Sequence, residues 1–419
     1  MLHDAIAFWP AALQSAPGPL TLEWALLLAL AALAGHLVQR FTGLPKILGY
    51  AVFGTAVGLA GFAGGAWPLH GVGLYLLELG IAVVLFEAGA RLSLRWFRHN
   101  PMVLVQSLLE AALTYFAVSQ VLLWLDTPAS VAQPLALVAM AASPSVLLRV
   151  VAETRAAGPV TERAIVLTTL STLYALALGS AHAQWLERPA TTWLQVLSPV
   201  VVVLGVSVVS GGVLALLMGW ALRVMSPASE STSLLLLALL ALLAAMAAHL
   251  GGSAPLAALL GGMVLKHRYP RPWAWQRALG PVMGLLTMLM FVLVSTVAAQ
   301  ADWNAAVAGV VLALLAARLL AKAVGVGLGH VGSGASWHQS VWLAGAMTPL
   351  SVVALLIASQ FAVASPATGY LIARIALPAI LLMEVCGAVL VSLALYRVGE
   401  GSRPWLPAAA HPGAAPNPS

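Results

Sequence analysis

Two stretches of this chain place prolines and hydroxyls where apolar residues otherwise run unbroken. The first, "AASPSVLLRVVAE" (141–153), sets Pro144 between Ser143 and Ser145; the second, "AMTPLSVVALL" (346–356), sets Pro349 between Thr348 and Ser351. A proline in a helix removes a backbone donor and frees a carbonyl, and in hydrocarbon each such group needs a partner from protein or from a water-filled cavity. Bared carbonyls and hydroxyls are oxygen ligands of the kind that hard cations take. Interrupted segments at corresponding places in two halves of a chain therefore point to a transporter's midplane site. Two ordinary proline kinks are the bland alternative, but the local wording recurs.

The same apolar background carries a few ionisable side chains, and an ionisable residue at membrane depth is a functional candidate. Lys322 and Arg318 lie four residues apart on one helical face, and two cations so placed need counter-charge or water. Glu87 is a candidate ion ligand, with a structural alternative in pairing to Arg91 at i+4. Glu78 lies near a span end, Glu384 has a neighbour such as Lys322 as its structural partner, and Glu110 stays open between the two readings. Ser171 and Thr172, with Thr168 and Thr169, offer neutral oxygens, although membrane hydroxyls commonly bond back to their own helix. Asp4, Asp126 and Asp302 are the chain's three aspartates, all at span ends or outside them.

The elements that position these residues are helices in a bilayer. Of 419 residues 61% are apolar and 8% charged, with mean hydropathy +0.98; soluble domains run near 25% charged. Apolar runs mark an all-α polytopic protein of about thirteen spans, each near the 20 residues that cross a bilayer. The organisation is a 1–19 extracytoplasmic segment, a 20–396 transmembrane domain and a 397–419 tail too rich in Pro, Ala and Gly to fold. No Lys or Arg precedes the first run, which argues against a cleaved signal peptide. Alternating spans put 15 of the Lys and Arg residues on one side and Arg188 on the other, leaving out Arg318, Lys322 and Arg374. The positive-inside rule then sets the N-terminus outside and the C-terminus in the cytoplasm. The basic residues mark loops and form no patch for nucleic acid. Cys386 is the single cysteine, and no phosphate loop, dinucleotide fingerprint, metal spacing or catalytic triad is present, so no enzyme activity, cofactor or metal is expected.

With these residues in view, the chain resembles the monovalent cation:proton antiporter-2 family, which includes sodium/proton and potassium/proton exchangers. "GLPKILGYAVFGTAVG" is similar to that family's second-span "LPxxLGYxxxGxxxG", and "LLELGIAVVLFEAGARLSLRWF" to its "ELGxxLLLFxxGLExxL". "AASPSVLLRVVAE" resembles "ASSTAVVLRVLAE", and "TPLSVVALL" resembles "TPRGEVALV". The resemblance implies an inverted-repeat fold whose spans five and twelve are discontinuous helices that cross. It also implies alternating access, a homodimer, a bacterial inner membrane, and a monovalent cation and a proton as partners. In the family the sixth span carries an Asp that binds the cation and the proton in turn; here Thr172 and Leu173 occupy that place. The Glu of "GLE" is replaced by Arg91, and that of "RGE" by Val352. Lys322 falls where the family keeps a lysine that competes with the ion.

The leading expectation is a secondary-active cation:proton antiporter. Two others stay beside it: a degenerate paralogue serving as a regulatory subunit, and an anionic-solute transporter using Lys322 and Arg318.

Overall fold

The computed structural model describes residues 19–62, 67, 71–92, 97, 100–187, 193–226, 229–269, 275–301, 303–330, 335–350 and 352–401. Fifteen helices, and no strand, lie among them: α1 (Pro19–Thr42), α2 (Lys46–Leu59), α3 (Gly71–Arg91), α4 (Pro101–Trp124), α5 (Ala129–Met140), α6 (Pro144–Thr154), α7 (Pro159–Glu187), α8 (Trp193–Val224), α9 (Glu230–His249), α10 (Ala254–Arg268), α11 (Trp275–Ala299), α12 (Ala305–Leu328), α13 (Trp337–Ala346), α14 (Val352–Ala364) and α15 (Pro366–Arg397). Eight segments are long and apolar enough to cross a membrane, counting Ala129–Thr154 as one. Apolar side chains point outward as well as inward, as on Leu33, Val201, Val209 and Leu320, which is the composition of a lipid-facing surface.

Both expected interruptions are present. Residues 141–143 are extended between α5 and α6, so Pro144 is the first residue of α6, where its missing N–H removes no helical bond. Ser143 caps that helix by accepting the Val146 N–H at 3.4 Å. In the second break Thr348, Pro349 and Leu350 are non-helical and α14 begins at Val352. The prolines therefore do not kink continuous rods; they stand at or inside true gaps between half-helices.

The helices sort into two groups. One comprises α4–α7 with α12–α15, and the other α1–α3 with α9–α11, with α8 against α7, α9 and α10. Small residues let backbones approach within each group, the usual basis of helix association in lipid. A Cβ on Gly325 of α12 would lie 2.5 Å from the Glu110 Cα on α4, and one on Gly54 of α2 would lie 2.8 Å from the Val292 carbonyl on α11. The seam between the groups carries polar contacts. Arg149 of α6 donates to Thr287 of α11 at 2.7 Å, the Lys46 amide donates to Glu153 at 2.8 Å, and Ser295 of α11 donates to Glu384 of α15 at 2.9 Å.

The tail expected to be unstructured from residue 397 begins by folding back. Glu400 accepts from the Val160 and Thr161 amides at 2.9 and 2.7 Å and from the Thr161 hydroxyl at 2.7 Å, capping the start of α7. A carboxylate is the natural partner for a helix N-terminus. Residues 1–18 and 402–419, and Ser351 among the candidate ligands, lie outside the described residues.

Candidate functional site

Arg318 and Lys322 project from α12 into the place where the two interrupted segments meet, and both are fully buried. Arg318 spans the two gaps. Its Nε donates to the Ala139 carbonyl at 2.8 Å and an Nη2 hydrogen to Ala141 at 2.9 Å, both at the end of α5. Across the site its guanidinium donates to the carbonyls of Thr348 at 2.5 Å and Pro349 at 3.3 Å, just beyond α13. The peptides bared by the breaks thus find their donor in one planar fork. Four of its five N–H donors are engaged in this way, so Arg318 is committed to the two gaps.

Lys322, one turn on, forms a buried ion pair with Glu110 of α4. Its ammonium also lies 3.4 Å from the Met140 carbonyl at the end of α5. The other carboxylate oxygen of Glu110 accepts from Ser171 of α7 at 2.6 Å. Thr114, one turn along α4, stands 3.3 Å from Oε1 and is held to the Glu110 carbonyl at 2.8 Å. Thr172, one of the two residues that stand where the family resemblance places the sixth-span Asp, donates to Thr168 of its own helix at 2.7 Å and reaches the Ala142 carbonyl in the first break at 3.0 Å. Lys322, Arg318, Ser171 and Thr172 therefore converge with the backbone of Thr348 and Pro349, while Thr168 and Thr169 bond back within α7.

The remaining candidates fall elsewhere. Ser143 and Ser145 share a hydrogen bond of 2.9 Å at the start of α6, and Ser145 lines a small apolar void with Pro144, Val352 and Val353. That shared void places the first break beside the start of α14. The Thr348 hydroxyl closes on Gly345 at 2.8 Å. Glu87 lies outside the cluster, at the end of α3, where it pairs with Arg91 at 2.8 Å. The pairing of Glu384 with Lys322 is corrected by the structure: Lys322 is taken by Glu110 of α4, the helix packed most closely on α12, and Glu384 receives Ser295 of α11 instead.

Glu110 is the residue that sequence reasoning left undecided. A signal was available in α4, where Gln106, Glu110 and Thr114 recur every fourth residue and share one buried face. Gln106 uses that face too, donating to the Val326 carbonyl of α12 at 2.8 Å. Among the described residues no three His, Cys, Asp or Glu side chains gather as metal ligands.

A cavity of about 340 Å³ lies toward the other end of the bundle between α3, α7 and α14, lined by Glu78, Ser180, Gln184, Ser359 and Gln360 and bounded by Gly251 and Gly252. Ser180 is two turns along α7 from Thr172, so its polar lining ends roughly 12 Å from the breaks.

Half-helices ended at a buried charge cluster, inside a helical membrane chain, define a secondary-transporter architecture. The sodium/hydrogen exchanger transmembrane family matches residues 25–396, and the chain belongs to that family. The fold is also that of the sodium proton antiporter MjNhaP1 from Methanocaldococcus jannaschii. Its structure at pH 8 aligns with a TM-score of 0.68 at 16% identity, covering 90% of this chain and 96% of that one. A second structure of the same antiporter, from an electron-microscopy map, aligns at 0.62 and 16% identity, covering 90% and 92%. No curated relative matches by sequence.

Proposed function

We propose that the chain exchanges a monovalent cation for a proton by alternating access, with Glu110 serving as the cation-binding carboxylate that the family resemblance places on the sixth span. The observation that carries this reading is the buried Glu110–Lys322 pair beside the first break. A cation in low dielectric needs a negative charge and several oxygens. Glu110 supplies the charge, and the Ser171 and Thr114 hydroxyls with the Met140 and Ala142 carbonyls stand nearest to supply oxygens.

Charge balance sets the coupling. In the resting pair a carboxylate faces an ammonium. When a cation takes the carboxylate, Lys322 loses its partner, and a buried ammonium without one gives up its proton. One cation enters as one proton leaves, and the site stays neutral in both states. The 340 Å³ cavity on the α7–α14 side supports an approach for the ion from that face. The seam contacts Arg149–Thr287 and Lys46–Glu153 support closure of the opposite face in this state.

We further infer thirteen crossings, each pair of half-helices making one, in a bacterial inner membrane with the N-terminus outside, and a homodimer. The regulatory-subunit and anionic-solute readings gain nothing from the site, since it retains a carboxylate and Arg318 already serves four backbone carbonyls.

The test is reconstitution into proteoliposomes with a pH-sensitive dye. Sodium, potassium or lithium gradients should drive proton movement, and Glu110→Gln should abolish it in folded protein. Silence of the wild type toward all three cations from acid to alkaline pH would overturn the reading.

A further inference from the structure

Glu384 is a buried carboxyl group that the exchange site does not use. It sits in the middle of α15 and is 1% exposed. Its Oε2 accepts from Ser295 at 2.9 Å, and its Oε1 has no hydrogen-bond partner. Burying a charge without a counter-charge is far more costly than burying a neutral acid.

Among the described residues, the surroundings of Glu384 show no counter-charge. Of the helices packed on α15, α5 and α14 carry no titratable side chain. On α12, Lys322 is paired with Glu110 and Arg318 with carbonyls. On α6, Arg149 is held by Thr287 and Glu153 by the Lys46 amide, while Tyr50 of α2 packs on Gly35. On α13, His338 accepts from Trp342. Arg277 stands five turns from Ser295 along α11, and Arg374 lies about 15 Å along α15 from Glu384. Tyr370, Tyr396 and Arg397 lie toward the two ends of α15, and Cys386 is exposed.

Position gives this isolated acid a consequence. Ser295 belongs to one helix group and Glu384 to the other, so their bond crosses the seam that alternating access must shear. Glu384 is also one turn from Gly387, whose Cα packs against Pro349 in the second break: a Cβ there would lie 2.8 Å from the Pro349 Cα. Motion of α15 past α11 therefore reaches both the acid and the break.

We propose that Glu384 is a second proton-binding site, which holds its proton while docked on Ser295 and releases it to water when the two helix groups slide apart. Uptake and release occur on the same face, so this proton sets how readily the docked state is left and adds nothing to the protons carried across. Rising pH then favours undocking and raises turnover.

The proposal rests on the exchange reading above, and two variants separate their fates. Glu384→Gln keeps a neutral group able to accept from Ser295; it should hold turnover at its acid-side value, severalfold below wild type at alkaline pH. Glu384→Met removes the bond with an apolar side chain of similar length, and its turnover should lie above wild type on the acid side, leaving only the pH dependence of the exchange site itself. Infrared spectroscopy of the wild type should show a carboxylic-acid carbonyl band that titrates and that both variants lack. Active variants with the wild-type pH profile, or a band that persists in Glu384→Gln, would overturn the proposal while leaving exchange intact. An inactive wild type would instead overturn the exchange reading, and the infrared band would still decide whether Glu384 holds the proton.

Discussion

The Glu110–Lys322 pair makes a double-mutant cycle decisive. Both side chains are fully buried, and the bond partners of each are visible. Glu110→Gln strands an ammonium whose remaining contact is one carbonyl at 3.4 Å; Lys322→Met strands a carboxylate left with hydroxyls. Breaking one partner of a buried pair costs about 3–5 kcal/mol. Two independent losses would therefore sum to roughly 6–10 kcal/mol. The double variant Glu110→Gln/Lys322→Met strands neither charge, and replacing a buried pair by neutral groups of similar volume is commonly neutral or stabilising by about 1–4 kcal/mol. Its thermal unfolding midpoint in detergent should thus equal or exceed that of wild type, with both singles well below it. Exchange in proteoliposomes should vanish in all three, the stable double included, because no carboxylate remains at the breaks or no ammonium remains to give up a proton. Additive midpoint losses would refute the pairing, and a double variant that still exchanges cations for protons would refute the function assigned to it.

Four further outcomes follow from particular contacts. Arg318→Gln, which removes the fork that serves carbonyls in both gaps, should destabilise by about 3 kcal/mol or more, read as loss of monodisperse protein in size-exclusion chromatography. Gly325→Val forces α12 from α4 at the Glu110 Cα and should cost about 1–3 kcal/mol together with an exchange rate lowered at every cation concentration. Glu400→Ala exposes the first amides of α7 and should lower stability by about 1–2 kcal/mol in thermal unfolding, without changing the apparent affinity for the cation. Glu87→Gln disturbs an i,i+4 pair at a helix end and should leave the exchange rate within about twofold, as such pairs contribute a few tenths of a kcal/mol.

Much of this molecule is legible in its residue order, and the illegible part has physical causes. Helices in lipid must satisfy their own backbones, so apolar runs declare them, and Pro144 and Pro349 declare where that rule is suspended. Composition cannot say how a gap is resolved. Pro144 proved to be a helix start because Ser143 caps it, and a cap is a matter of backbone angle. Lys322 and Arg318 were legible because two cations one turn apart have no cheap alternative in hydrocarbon. Their partners were not, since pairing depends on which helices pack: Glu110 precedes Lys322 by 212 residues and meets it only because Gly325 lets α4 and α12 touch. Glu87 was legible for the opposite reason: its partner Arg91 is on the same helix, so the i+4 pairing could be read directly from the order of residues.

The charges at the breaks yield a last prediction. Arg318, Lys322 and Glu110 sum to one positive charge in a site with no exposed atoms to share it. The C-terminal end of α5, however, meets Arg318 through the carbonyls of Ala139 and its cap Ala141, and α13 ends just before the Thr348 and Pro349 carbonyls that accept from it; each such end carries roughly half a negative charge that acts near its final turn. Two half-charges offset the guanidinium. The positive ends of α6 and α14 face the apolar void at Pro144 and Val352 and act there instead. What remains is Glu110 and Lys322, a neutral pair; with the cation bound and the lysine proton gone it is neutral again. No net charge then moves in either half of the cycle. Exchange should accordingly run at the same rate whether a potassium gradient with valinomycin clamps the vesicle interior positive or negative, with sodium as the transported ion. A rate that rises severalfold with one polarity would mean that a second charge crosses with the cation, and that the arginine is not balanced by the helix ends alone.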